Sequence, residues 1–115
     1  MKVIFFNMSN GDTIINATPN VKGKVTGTIP TNNTFYAILK NENQYGLTTK
    51  LDLDKEGKFD FNSIIGYNGA IKIGIIACDE VSANSINEQF KKQIYTLSSL
   101  PNGSEIIGSV NVYKK

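Results

Sequence analysis

Four carboxylates crowd one short stretch: Asp52, Asp54, Glu56 and Asp60. Acids at this spacing suit two kinds of chemistry. A converging pair could do general acid–base work. Alternatively, Asp52-Leu53-Asp54-Lys55-Glu56-Gly57 could begin a loop that wraps Ca²⁺ in oxygen ligands. The second pattern departs from a helix-loop-helix calcium site at its closing position, where Ser63 stands in place of a bidentate Glu. Asp52, Asp54 and Glu56 are therefore candidates for a weak Ca²⁺ site. The competing reading is a solvated turn, because Asp tolerates turn geometry and bonds its own backbone.

The chain contains no histidine. That removes imidazole general bases, His-based triads and most zinc or copper sites. Any hydrolase here would have to run on carboxylates, Lys or Tyr. Cys78 is the single cysteine, so no disulfide can form within the chain. With neither His nor Arg to lower its pKa, Cys78 reads as a buried structural thiol. Gly23-Lys24-Val25-Thr26-Gly27 places Lys beside Gly but lacks the spacing of a phosphate loop. No cofactor is expected. Of the aromatics, Tyr36, Tyr67 and Tyr113 are the candidates for a surface binding platform, including one for carbohydrate. Such platforms need flat exposed rings in a row, which the sequence does not supply.

Composition narrows the partners. The chain has 115 residues, a length that fits one domain spanning 1–115. It is 40% hydrophobic and 19% charged, with a net charge of +2. All 12 basic residues are Lys. Without Arg forks or a basic stripe, nucleic acid is not an expected partner. No apolar run approaches a membrane span, and Val3-Ile4-Phe5-Phe6 is too short for a signal core. Cytoplasmic synthesis without a leader is the expectation. The Asn-x-Ser/Thr triplets at Asn7, Asn16, Asn32 and Asn102 then read as chance in an Asn- and Thr-rich chain.

The elements that must position these groups are mostly strands, because alternation with a period of two dominates. Lys2 to Met8 is a first strand, and Asn10-Gly11 predicts a hairpin back along Thr13 to Asn16. Val21 to Ile29 alternates with Lys and Thr, and its glycines suggest either a bulge or the close approach of another sheet. Phe35 to Lys40 has two apolar faces. Tyr45 to Leu53 and Phe59-Asp60-Phe61 read as a hairpin about Lys55-Glu56-Gly57. Ala70 to Cys78 is apolar enough for a central strand. Ile86, Phe90 and Ile94 recur at helical spacing, which predicts one short helix near 85–92 capped by Ser82 or Ser85, then a strand. Ile106 to Tyr113 is the last strand. The whole reads as all-β, an antiparallel β-sandwich of seven or eight strands.

Val21-Lys22-Gly23-Lys24-Val25-Thr26-Gly27, Leu53 to Phe61, Gly69 and the strand Ile71 to Ala77 resemble the bacterial immunoglobulin-like and prealbumin-like sandwich modules. The resemblance covers Val21 to Glu80. It implies an immunoglobulin-like fold and a non-catalytic role in adhesion or assembly, and it carries over no binding residues. Joined to an unexported chain, it suggests a phage or prophage virion accessory of tail, baseplate or capsid, with a protein partner or self-association. The alternatives are a small intracellular inhibitor or regulator of a host enzyme and, further off, a carboxylate-based enzyme.

Overall fold

The computed structural model describes every residue from Met1 to Lys115. In chain order the strands are β1 (Lys2–Phe5), β2 (Asp12–Ile14), β3 (Asn20–Thr26), β4 (Thr34–Lys40), β5 (Tyr45–Leu51), β6 (Lys58–Asn62), β7 (Gly69–Cys78), β8 (Thr96–Leu97) and β9 (Ser104–Lys114). One helix, α1 (Glu80–Lys91), lies between β7 and β8. The strands form two sheets, with orders β1-β3-β6 and β2-β9-β7-β4-β5-β8. Nine strands stand against the seven or eight expected, and the shortest, β2 and β8, have three and two residues.

Alternation explains the two layers. Inward side chains of the small sheet are Val21, Val25, Phe59 and Phe61. They meet Phe35, Ala37, Leu39, Ile71, Ile73, Ile75, Val110 and Val112 of the large sheet. Each large aliphatic buried this way contributes about 1.5–3 kcal/mol before the entropy of ordering is set against it. Gly23 belongs to this packing. A Cβ there would collide with the Phe59 ring and the Ile4 carbonyl, so close approach is the reason for that glycine.

The central strands β4 and β7 are also buried on their other face. Tyr36, Ile38, Ile76 and Cys78 form a second core with Leu47 and with Ala83 and Ile86 of α1. The helix is thus a cover for one outer face of the sandwich. It begins at Glu80, five residues ahead of the predicted start at 85. Its cap is Asp79, where Ser82 and Ser85 had been the candidates. The Asp79 Oδ1 accepts from the Ser82 N–H and hydroxyl, both at 2.8 Å. Glu80 in the first turn and Lys91 in the last complement the helix dipole.

Two predicted hairpins do not form. After the Asn10-Gly11 turn, β1 pairs antiparallel with β3 while β2 runs parallel to β9 in the other sheet. The turn residues themselves bind β9. Gly11 N–H donates to the Asn111 carbonyl at 2.8 Å, and the Asn10 side-chain oxygen accepts from Asn111 N–H at 2.9 Å. Likewise β5 pairs with β4 and β6 with β3, so the turn between β5 and β6 is an arch from one sheet to the other. An arch lets Leu51 and Leu53 face Phe59 and Phe61 across the core, whereas a hairpin would set them side by side in one layer.

Candidate functional site

The acidic turn is the place where sequence put chemistry. Asp54 Oδ1 accepts from the N–H of Glu56 and of Lys58, each at 2.9 Å. These bonds, the one from Lys58 foremost, hold the Asp54 carboxyl below the usual carboxylate range. Gly57 has φ +84°, and a Cβ there would run into the Val25 carbonyl, so no side chain fits. Glu56 pairs with Lys58 at 2.9 Å. Asp60 lies 4.0 Å from Lys22 and takes a bond from the Asn20 amide. Asp52, Asp54 and Glu56 are not brought together as ligands, and no three of the chain's Cys, Asp and Glu side chains group around a common point. The calcium expectation therefore gives way to the turn: Asp54 orders its own backbone and its neighbours pair with lysines.

The three tyrosines part company. Tyr36, expected at the surface, is fully buried in the second core. Its ring stacks on Phe90 with centroids 6.1 Å apart, and its hydroxyl donates to Asn87 Oδ1 at 2.6 Å. Burial raises its pKa, the neighbouring Cys78 adds to the rise, and the Asn87 bond opposes it. The correction has a simple cause: α1 starts early enough to cover the outer face of β4. Tyr67 is exposed in the loop before β7, where burial against its surroundings raises its pKa and a bond with Asn41 lowers it. Tyr113 is exposed on β9 opposite Ala70. These rings do not form a row.

Cys78 is buried, and burial pushes its thiol up, with a hydrogen bond from Ser82 opposing. That disfavours the thiolate, which is the reactive form.

Sequence reasoning missed one concave apolar surface. Leu39, Gly46, Leu47, Thr48, Ile64 and Tyr95 line a groove of about 560 Å³ beside the end of the large sheet. Ile64 is exposed there while Ser63 and Ile65 on either side are buried. The adjacent pair Ile64-Ile65 breaks the alternation and was the available signal. Ser63 Oγ is buried without a hydrogen-bond partner.

No helix is long and apolar enough to cross a membrane. No protein-family model matches the chain, and no curated protein sequence matches it.

Proposed function

We propose that this chain is a non-catalytic structural or binding module of immunoglobulin-like character, working through contacts with protein. The role that suits it best is a virion accessory of a phage or prophage, in tail, baseplate or capsid. One observation carries the reading: the groups that could do chemistry are engaged in holding the fold, while large apolar side chains stand in solvent. Asp54 orders a turn, Asp79 caps α1, and Tyr36 and Cys78 are packed under that helix. Ile4, Phe6, Ile64 and Val81 are exposed. Ile4 and Phe6 stand two residues apart at the small sheet, and neighbouring exposed apolar side chains support a docking role.

An acidic surface patch at Asp52 to Asp60 would favour the inhibitor alternative. Lys58 and Lys22 answer Glu56 and Asp60 there, so nothing specific favours it.

The test has two arms. Light scattering and pull-down with the whole chain are expected to reveal self-association or a retained partner; a strict monomer that retains none would overturn the binding reading. Mass spectrometry of purified particles is expected to find its peptides in the virion, and their absence would overturn that assignment. Turnover of any substrate that is lost in Asp54→Asn or Asp60→Asn would sink the non-catalytic reading.

A further inference from the structure

The helix that covers the large sheet stops short of one end. α1 packs over Tyr36, Ile38, Ile76 and Cys78. Beyond it the same outer face carries three residues in one cross-strand row: Lys40 of β4, Lys72 of β7 and Asn111 of β9. Alternation turns all three outward, because Leu39, Ile71, Ile73, Val110 and Val112 beside them fill the inner core. Two hollows adjoin here. One, of about 330 Å³, lies over the row itself. The other, of about 530 Å³, lies between the turn at Asn41 to Gln44 and the loop at Asn68. Both are lined by Asn41, Glu42 and Ala70, so they form one cleft, and the small Ala70 side chain leaves its floor open.

Charge in this cleft is unbalanced. Lys40 and Lys72 stand directly opposite on neighbouring strands, an unfavourable place for like charges. Neither is in an ion pair, since the chain's pairs are Lys22–Asp60, Lys58–Glu56 and Lys91–Glu88. Glu42 is the one acid on the cleft and pairs with neither lysine, so two cations against one anion leave it positive. The Lys40 ammonium lies 5.4 Å from the centre of the Tyr45 ring, which steadies it.

Amides supply the rest of the lining. Elsewhere Asn7, Asn10 and Asn20 use their side chains to bond the chain's own backbone. The side chains of Asn43, Gln44, Asn68 and Asn111 are not so used, and all four residues are exposed on the cleft. Asn41 holds the cleft in shape. Its Oδ1 accepts from the N–H of Asn43 at 3.1 Å and of Gln44 at 2.9 Å, and its side chain also bonds Tyr67 of the facing loop.

We infer that this cleft binds a carboxylated sugar, a uronate or sialate unit, with the carboxylate between Lys40 and Lys72 and the hydroxyls on the neighbouring amides. The inference goes beyond the protein-contact reading and does not rest on it. A carboxylate placed there replaces the repulsion of two ammonium groups with two charge-assisted bonds. A sugar hydroxyl both donates and accepts, and a side-chain amide offers both partners. A bare anion would leave the amides idle, and an acidic peptide would bring carboxylates without the hydroxyls. The chain has no Arg, the residue suited to gripping phosphate in a fork. The cleft is shallow and wet, so binding is weak and is lessened by salt.

The experiment is a titration of the isotope-labelled whole chain, followed by amide chemical shifts, up to about 20 mM ligand. The probes are glucuronate, N-acetylneuraminate, glucose, acetate and inorganic phosphate at matched ionic strength. One of the two sugar acids is expected to shift Asn41 to Gln44, Asn68 to Lys72 and Asn111 saturably, at least about tenfold more tightly than glucose or acetate. Lys40→Gln and Lys72→Gln each weaken that binding at least about tenfold and do not lower the melting temperature, because each removes a like-charge neighbour. Asn68→Ala weakens the sugar acid and leaves acetate unchanged. Acetate or phosphate bound as tightly as the sugar acids would reduce the cleft to an anion site and overturn the sugar. Glucose bound equally well, untouched by Lys72→Gln, would overturn the acidic ligand. No saturable shift in the cleft with either sugar acid would overturn the site itself.

Discussion

The two outer faces of the sandwich are built from the same alternating pattern and finished differently. On the large sheet, Tyr36, Ile38, Ile76 and Cys78 point outward and α1 covers them. On the small sheet, Lys22, Lys24, Lys58 and Asp60 point outward and no element covers them, with Ile4 and Phe6 the apolar exceptions. The covered face is held by packing against one helix, so its integrity depends on a few buried side chains. The bare face is held by its inner surface alone, so its outward residues are free to serve contact with other molecules. The packing that holds the fold thereby extends over one outer face and not over the other.

The contrast can be broken most severely at Ile86, which α1 buries completely. Ile86→Ala is expected to cost about 2–5 kcal/mol, through lost transfer energy and the cavity left behind. Urea unfolding followed by circular dichroism measures it. Tyr36→Phe removes the bond to Asn87, whose amide stays exposed to water, and is expected to cost about 0.5–1.5 kcal/mol by the same measurement.

Asp79→Ala frays the start of the cover and is expected to lower the melting temperature by less than either. Its pH dependence identifies the cause. The N–H of Ser82, and then its hydroxyl, hold the folded carboxyl below the unfolded value of about 3.9. The cap's contribution is complete above that value and is lost as pH falls through the lower folded pKa. Wild type and Asp79→Ala should therefore differ at neutral pH and converge as pH falls through the lowered folded value.

Ile4→Thr on the bare face sharpens the comparison by doing little to a monomer. A change within about 0.5 kcal/mol is expected. A cost near that of Ile86→Ala would mean that the small sheet's outer face is part of the fold's support.

Much of this architecture was legible in advance. The periodicity of Val21 to Ile29, Ala70 to Cys78 and Ile106 to Tyr113 located strands that the structure contains, although the first ends at Thr26, where Gly27 turns the chain with φ +91°. The burial of Cys78 followed from its place on an apolar strand with no activating neighbour. The helix was visible in Ile86 and Phe90, but its beginning was not, because Asp79 ends a strand as well as capping a helix and its role depends on which follows. The site was less legible. Asp52, Asp54 and Glu56 looked alike in sequence, yet only Asp54 turns back on its own backbone. Tyr36 looked like a half-exposed strand residue because nothing local announces a helix packed above it.

What the sequence alone determined is local: where the backbone is extended, where it turns, and which side chains alternate. A residue's preference for a conformation and its solvation act within a few neighbours, so one dimension suffices to read them. The tertiary structure alone decided which strand lies beside which. Asn10-Gly11 and Lys55-Glu56-Gly57 could each have closed a hairpin. Both instead carry the chain from one sheet to the other, because facing layers bury Leu51, Phe59 and Phe61 more fully than adjacent strands in one layer would. That choice left β1 at the end of the small sheet, with Val3 and Phe5 packed inward and Ile4 turned outward.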